Sequence, residues 1–266
     1  MDKKVRVSTI LKKKADGIKI TALTAYDYTF GYLIDEAGVD LILVGDSCGN
    51  VCAGHETTLP VTVDEIIYHT RSVGRGVKRA LLVADMPFMS YQETIEQALH
   101  NAGRFMKEGR AEAVKMEGGA HICPTVRKMV EVGIPVMGHL GFTPQSVHEL
   151  GGYRVRGKDE QEADRMKNDA LALQDAGIFS VVLEKVPSEL AKDISESLKI
   201  PTIGIGAGPF CDGQILVSYD LFGLYDKMNF KFVRRYANLA DDVRKAVSGY
   251  CKDVREGGFP SEEESY

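Results

Sequence analysis

The stretch Leu41-Ile42-Leu43-Val44-Gly45-Asp46-Ser47 decides the fold. Four consecutive aliphatic residues predict a strand that is buried on both faces, as in a parallel sheet covered by helices. A carboxylate and a hydroxyl follow where this strand ends. Three later segments repeat the order of an apolar run closed by an acid, at 81–85, 113–117 and 181–184. Four such strand ends predict one sheet with a polar edge where its strands terminate.

Strands and helices alternate along most of the chain. Helices are predicted between most of eight strands, which we place at 19–25, 41–44, 80–85, 113–117, 135–141, 179–184, 201–206 and 214–218. Parallel strands need crossover connections of one hand, and eight such units in about 250 residues fit a closed (β/α)8 TIM barrel. A doubly wound open sheet is the alternative, but no glycine-rich turn follows the first strand.

The ends of the chain predict additions to this barrel. A short helix through Lys14 is expected to cover one end of the core, and an amphipathic helix at about 229–250 precedes a tail, 257–266, that is expected to fray. We therefore predict one α/β domain over residues 1–266, with a barrel core at about 19–224, an N-terminal capping helix and a C-terminal helical extension. Segment 142–158 is too long for a simple connection and is predicted to be a lid or binding loop.

Composition excludes several classes of protein. The 44% hydrophobic and 27% charged residues are ordinary for a globular protein, and a net charge of −5 without a long basic run argues against nucleic-acid binding. No apolar segment approaches the roughly 20 residues of a membrane helix. The five scattered cysteines favour reduced thiols over disulfides. We expect a cytoplasmic protein that binds neither nucleic acid nor a membrane.

Asp46, Asp85 and Glu117 follow the second, third and fourth predicted strands. They are expected to meet at the C-terminal end of the barrel, where such folds carry their chemistry. Converging carboxylates raise one another's pKa unless a cation neutralises them, and oxygen ligands favour Mg²⁺. The alternative is that each acid caps the following helix. We favour the metal site because all three acids lie at the same kind of position, the end of a predicted strand.

Three further residues are candidates for chemistry. Lys115 lies two residues before Glu117 and faces the same side of the strand, so we expect it to bind a substrate carboxylate or a developing enolate; a structural ion pair is the alternative. His139 ends the fifth strand, where substrate contact and a hydrogen-bonded core role are equally open. Glu184, apart from the three acids, is a candidate general base, with an ion pair to Lys185 or another cation as the alternative.

With these residues in place, the sequence resembles the ketopantoate hydroxymethyltransferase family of the phosphoenolpyruvate/pyruvate barrel superfamily. The resemblance runs from about residue 20 to 224 and rests on TAYDY, LVGDS, TLPVTVDEI, ADMPFMSY, VKMEGG, GHLGFTPQSVHELGGYRVRG and PTIGIGAGPFCDGQILV. It implies a metal site of Asp46, Asp85 and Glu117 and a proton acceptor, Glu184. The substrate-binding residues that it implies are Asp46, Ser47, Asp85, Lys115 and His139. Cys48 and Phe142 depart from the family pattern beside the site.

The resemblance implies that a hydroxymethyl group passes from 5,10-methylenetetrahydrofolate to 3-methyl-2-oxobutanoate, with Mg²⁺ as cofactor, giving 2-dehydropantoate for pantothenate synthesis. It also implies a homo-oligomer, a decamer. The nearest rival is a Mg²⁺-dependent carbon–carbon lyase or mutase of the same superfamily, but the Lys-Lys-Cys-Gly motif typical of those enzymes is absent. A catalytically inactive scaffold is the second rival, and it would need none of these charged residues.

Overall fold

The computed structural model describes residues 3–152, 154–227 and 230–266. Eight parallel strands pair in sequence order and close into a barrel, because β1 pairs with both β2 and β8. All eight predicted strands are confirmed with small shifts at their ends, and the (β/α)8 barrel is confirmed over the open sheet. The strands are β1 Ile20–Thr24, β2 Leu41–Val44, β3 Leu81–Asp85, β4 Ala113–Glu117, β5 Val136–Gly141, β6 Ser180–Glu184, β7 Thr202–Ile205 and β8 Gly213–Leu216.

Helices lie between most of these strands. They are α1 Val7–Ala15, α2 Tyr28–Glu36, α3 Cys48–Val51, α4 Val63–Gly76, α5 Ile95–Lys107, α6 Cys123–Glu131, α7 Glu160–Ala176, α8 Ser188–Ser197, α9 Ser218–Leu221 and α10 Leu239–Glu256, with short 3-10 turns at Ala120–Ile122, Pro144–Ser146 and Glu262–Glu264. Within the described ranges, no helix combines the length and apolar character needed to cross a membrane. The chain divides into two compact units, Met1–Val217, which contains the barrel, and Ser218–Tyr266. The single domain predicted from the sequence stays a prediction.

Helix α1 covers the N-terminal end of the barrel, as predicted. Its Ile10 is fully buried and belongs to the same apolar cluster as the inward-facing strand residues. Lys13 Nζ lies 2.7 Å from an oxygen of Asp40, which directly precedes β2, and Lys14 Nζ lies 2.8 Å from an oxygen of Asp212, which directly precedes β8. The helix is therefore attached to the strand starts by both apolar packing and ion pairs.

The inward-facing residues change from apolar to charged towards the C-terminal ends of the strands. Side chains two positions apart face the same side of a strand. The buried apolar cluster includes Leu81 and Val83 of β3, Ala113 of β4, Met137 of β5 and Val182 of β6. The next inward positions on these strands are Asp85, Lys115, His139 and Glu184. The barrel thus has an apolar core at one end and a charged centre at the other.

The second unit corrects one prediction. Its helix α10 begins at Leu239 rather than near residue 229, which lies outside the described residues. Asn238 occupies the N-cap position, and Asp241 and Asp242 lie in the first turn, where acids are favourable. Gly257, with φ of 74°, ends the helix in the left-handed conformation. The tail beyond it carries one short turn and exposed residues.

Gly141 is required where β5 meets β6. It is the Cα partner of Glu184 in the parallel register. Its φ is +91°, and a Cβ at this position would lie 2.2 Å from the main-chain oxygen of Glu184. The strand end that carries Glu184 therefore depends on the absence of a side chain at residue 141.

We expect Gly141→Ala to lower the free energy of unfolding by about 2 to 4 kcal/mol, because it adds both backbone strain and a clash with main chain. Urea denaturation measures this difference. Gly103→Ala is the matched control, since Gly103 lies within α5 and a Cβ there would meet no atom within 4 Å; this change should stabilise slightly. Equal destabilisation by both substitutions would contradict the account.

Candidate active site

The register of the barrel brings two pairs of charged side chains together. Asp85 and Lys115 are Cα partners across β3 and β4, and Glu117 and His139 are partners across β4 and β5. All four residues are buried. Lys115 Nζ lies 2.9 Å from Asp85 Oδ1 and 3.9 Å from Glu117 Oε1. The ion-pair alternative for Lys115 is therefore observed, and its role towards a substrate stays a prediction.

His139 lies between two glutamates. Lys115 Nζ lies 3.1 Å from His139 Nδ1, and because an ammonium only donates, Nδ1 accepts this hydrogen bond whenever the ring is neutral. His139 Nε2 lies 3.4 Å from Glu184 Oε2, and Nδ1 lies 3.4 Å from Glu117 Oε1. The imidazole thus lies between the candidate base, Glu184, and the cluster of Lys115, Asp85 and Glu117.

Lys185 is the residue that the sequence offered as an alternative ion-pair partner of Glu184. Its Nζ lies over the Phe142 ring, 4.8 Å from the ring centroid.

The segment after β2 adds Asp46 and Ser47 to this group. The backbone N–H of Asp46 donates to Asp85 Oδ2 at 3.2 Å, and Ser47 Oγ lies 2.8 Å from Tyr26 Oη. The structure therefore brings all the candidate residues predicted from the sequence to one end of the barrel. The helix-capping alternative is wrong for Asp46 and Asp85, because Ser47 and Thr94 occupy the N-cap positions of α3 and α5.

Two site residues were missed by sequence reasoning, Gln145 and Tyr91. Gln145 Nε2 donates to Asp46 Oδ2 at 3.0 Å, and the Gln145 backbone N–H donates to Glu117 Oε2 at 3.0 Å. Tyr91 Oη donates to Gln145 Oε1 at 2.9 Å and lies 3.0 Å from the main-chain oxygen of Glu117. Both residues fall within the quoted family segments. No spacing signal marks them, because Gln145 and Asp46 lie 99 positions apart.

The charges of the centre are strongly coupled. Burial, together with the carboxylates of Asp85 and Glu117, raises the pKa of Asp46 well above its usual value. Burial also opposes the charged forms of Lys115 and Glu117. For Lys115 the neighbouring carboxylates outweigh burial and raise its pKa, and for Glu117 the contacts with His139 and then Lys115 outweigh burial and lower its pKa. Burial and Lys115 lower the pKa of His139, whereas the carboxylates raise it, and the net shift is upward.

The donor set fits a hard divalent cation in an open site. Glu117 Oε1 is buried and accepts no hydrogen bond from any described residue. Among the described residues, no group of three or more His, Cys, Asp or Glu side chains is placed to hold a metal ion by itself. Mg²⁺ needs no such group, because it is usually held by one or two carboxylates together with water and substrate oxygens. Asp85 and Asp46 supply further carboxylate oxygens beside Glu117.

A cavity of about 300 Å³ lies beside Glu117. Its lining includes Glu117 and Tyr91, and the loop that follows β5 adds Thr143, Gln145, Leu150 and Arg156. Part of the segment 142–158 thus lines this cavity; residue 153 lies outside the described residues. That this segment acts as a lid stays a prediction.

The fold and site define a class, the parallel (β/α)8 barrels with an acidic C-terminal end. A solved structure of phosphonopyruvate hydrolase in complex with oxalate and Mg²⁺ has a similar fold, with a TM-score of 0.62 over 98% of this chain and 93% of that chain. At 13% sequence identity, this likeness concerns the fold alone.

Sequence comparison gives the family. The profile of the ketopantoate hydroxymethyltransferase family matches residues 4–262. The 3-methyl-2-oxobutanoate hydroxymethyltransferase of Pelobacter propionicus is 56% identical over 266 residues, covering 100% of this chain and 98% of the relative. The Geobacter sulfurreducens enzyme of the same name is 55% identical, covering 98% and 99%. The chain therefore belongs to the ketopantoate hydroxymethyltransferase family, which confirms the resemblance seen in the sequence.

We expect Lys115→Met to destabilise the metal-free chain by about 3 to 5 kcal/mol at pH 7.5, because it leaves buried carboxylates without their cation. The pKa values of those carboxylates then rise: those of Asp46 and Asp85 move further above their usual values, and that of Glu117 loses part of its lowering. The free energy of unfolding of Lys115→Met should therefore fall furthest below that of wild type at high pH, and the difference should shrink as pH falls towards 5. Urea denaturation in the presence of a chelator, at several pH values, measures it.

Lys167→Met is the matched control for this prediction. Lys167 Nζ lies 2.8 Å from Asp193 Oδ2, but both side chains are exposed, so the loss of this ion pair should have little effect at any pH. A Lys115→Met deficit that is small, or that does not change with pH, would show that the ammonium does not neutralise the buried acids.

Proposed function

We propose that this chain catalyses the Mg²⁺-dependent transfer of a hydroxymethyl group from 5,10-methylenetetrahydrofolate to 3-methyl-2-oxobutanoate, giving 2-dehydropantoate for pantothenate synthesis. The observation that carries the proposal is Glu184, which faces His139 at one side of a buried ammonium and carboxylate cluster. Family membership supports this reaction over a lyase or mutase reaction, because the likeness to barrels of that kind concerns the fold alone.

The centre complements a 2-oxo acid. Its excess of carboxylates, from Asp46, Asp85 and Glu117, suits a divalent cation, and the Lys115 ammonium and the Ser47 hydroxyl can donate hydrogen bonds to the substrate carboxylate. Mg²⁺, when bound, supplies Lewis-acid stabilisation of the negative charge that develops on the 2-oxo group. The buried position of these side chains strengthens every such interaction by excluding water.

The chemical step begins at C3 of the 2-oxo acid. Glu184 removes the C3 proton as general base, and His139 Nε2 lies 3.4 Å from its Oε2. Lys115 remains protonated, because its pKa is raised by the surrounding acids, and balances the negative charge of the enolate. The enolate carbon then forms a bond to the methylene carbon of the folate, whose two bonds to folate nitrogens break. Water supplies the hydroxyl of the new hydroxymethyl group. The C3 proton and the remaining proton of water pass to the two nitrogens, and tetrahydrofolate is released.

The proposal extends to assembly and location. Membership of a biosynthetic enzyme family supports small-molecule partners, a 2-oxo acid and a reduced folate. We retain the decameric homo-oligomer and the cytoplasmic location as parts of the proposal, because they follow from the family resemblance and from the composition. Sedimentation of the purified chain at several concentrations tests the decamer, and a monomer at all concentrations would contradict it.

We expect Glu184→Gln to reduce kcat for 2-dehydropantoate formation by about 100- to 10,000-fold, because the amide cannot accept the C3 proton. The KM for the 2-oxo acid should change little, since Glu184 is not among the expected metal ligands. Steady-state rates with and without Mg²⁺ measure both constants.

Glu189→Gln is the matched control, because Glu189 is exposed in the first turn of α8, five positions from Glu184. Its kcat should equal that of wild type. A Glu184→Gln variant with wild-type kcat would keep the reaction but transfer the role of base to Lys115 or His139. A folded, Mg²⁺-loaded wild type that forms no 2-dehydropantoate would overturn the proposed function.

A further inference from the structure

Gln145 joins the loop after β5 to two carboxylates that come from different strands. We propose that Gln145 is a positioning residue, which orients the carboxylates of Asp46 and Glu117 for a divalent cation and so couples the order of this loop to metal binding. The inference rests on the proposed function in one respect, because it takes Asp46 and Glu117 as cation ligands.

The side chain of Gln145 is buried and hydrogen-bonded on all sides. It is only 5% exposed. One N–H of the amide donates to Asp46 Oδ2 at 3.0 Å and the other to the main-chain oxygen of Met86 at 2.9 Å. The amide oxygen accepts from Tyr91 Oη at 2.9 Å and from Gln92 Nε2 at 3.2 Å. Every hydrogen-bonding group of the amide is thus used, so its position fixes that of Asp46.

Gln145 also acts through its backbone. Its N–H donates to Glu117 Oε2 at 3.0 Å, which leaves Glu117 Oε1 as the buried oxygen that accepts no hydrogen bond from the described residues. A carboxylate held through one oxygen presents the other in a fixed direction. The 3-10 turn Pro144–Ser146 holds this N–H in place, with Val147 N donating to Pro144 O at 3.2 Å. The two donors of one residue therefore orient two candidate ligands.

The chemistry of an amide suits this role. A lysine or arginine at residue 145 would neutralise the carboxylates and compete with a metal ion, whereas a glutamate would repel them and offer no N–H. The neutral amide donates hydrogen bonds and leaves the negative charge of the site available to a cation. Hydrogen-bonding partners of metal ligands typically contribute 10- to 100-fold to metal affinity.

Tyr91 gives independent support for a built network. Its side chain is buried, and its hydroxyl lies between Gln145 Oε1, at 2.9 Å, and the backbone of Glu117, with 3.0 Å to the oxygen and 3.1 Å to the nitrogen. Tyr91 therefore fixes Gln145 and the strand end that carries Glu117 relative to each other. Three separate loops, after β2, β3 and β5, meet through these two residues.

The test uses Mn²⁺ as a spectroscopic probe for the divalent site. Electron paramagnetic resonance of free Mn²⁺ gives the dissociation constant of the 266-residue chain without substrates, so no turnover is needed. We expect Gln145→Leu to weaken Mn²⁺ binding about 10- to 100-fold, and Tyr91→Phe to weaken it by a smaller factor. The fold-loss of Mn²⁺ affinity in the double variant should not exceed the product of the two single fold-losses, because Tyr91 acts partly through Gln145.

Gln174→Leu is the matched control, since the Gln174 side chain also forms a hydrogen bond with backbone, accepting at Oε1 from Lys199 N at 2.6 Å, but does so outside the site. This control should keep wild-type Mn²⁺ affinity even if its melting temperature falls. A folded Gln145→Leu variant with wild-type Mn²⁺ affinity would overturn the proposal, as would a wild type that binds no Mn²⁺. If Gln145→Leu does not fold, unchanged affinity in Tyr91→Phe overturns the proposal. A wild type whose Mn²⁺ affinity depends on Gln145 but that forms no 2-dehydropantoate would instead refute the proposed function alone.

Discussion

The charged end of the barrel depends on one buried interaction, the contact of the Lys115 ammonium with Asp85 at 2.9 Å. Asp46, Asp85 and Glu117 would repel one another without a cation, and burial makes each unneutralised charge more costly. The ammonium lowers that cost in the metal-free chain and also bonds to His139. A single lysine thus holds the carboxylates together while it orients the imidazole that faces Glu184. The remaining excess of negative charge is what a divalent cation would neutralise.

Apolar packing in the rest of the barrel offsets the free-energy cost of burying these charges. Towards the N-terminal end, the same inward-facing positions carry apolar side chains, and α1 covers them with Ile10 and two ion pairs. Stability is therefore concentrated at one end of the strands and reactive groups at the other, as is typical of barrels of this kind. Gly141 lies at the end of β5 beside the reactive groups, because only a residue without a side chain lets β5 approach the strand end that carries Glu184.

Much of this could be predicted from the sequence. Apolar runs such as 41–44 locate buried strands, and because parallel strand ends meet at one edge, the acids that follow them were expected to converge. The period of two along β4 places Lys115 beside Glu117 without further information. The predicted start of α10, near residue 229, was wrong, because an amphipathic pattern does not show that the helix begins after Asn238. Gln145 and Tyr91 escaped prediction because their partners are set by how three loops meet, which no local pattern encodes. The roles of the site residues in catalysis stay predictions.

The central claim is that these residues transfer a one-carbon unit to C3 of a 2-oxo acid. The most direct measurement follows the carbon itself, by incubating the chain with Mg²⁺, 3-methyl-2-oxobutanoate and 5,10-methylenetetrahydrofolate that carries a ¹³C label in its methylene group. The account predicts that ¹³C NMR will show the label in the hydroxymethyl carbon of 2-dehydropantoate, and that a chelator will abolish its appearance. A folded, Mg²⁺-loaded chain that leaves all of the label in the folate would contradict the account.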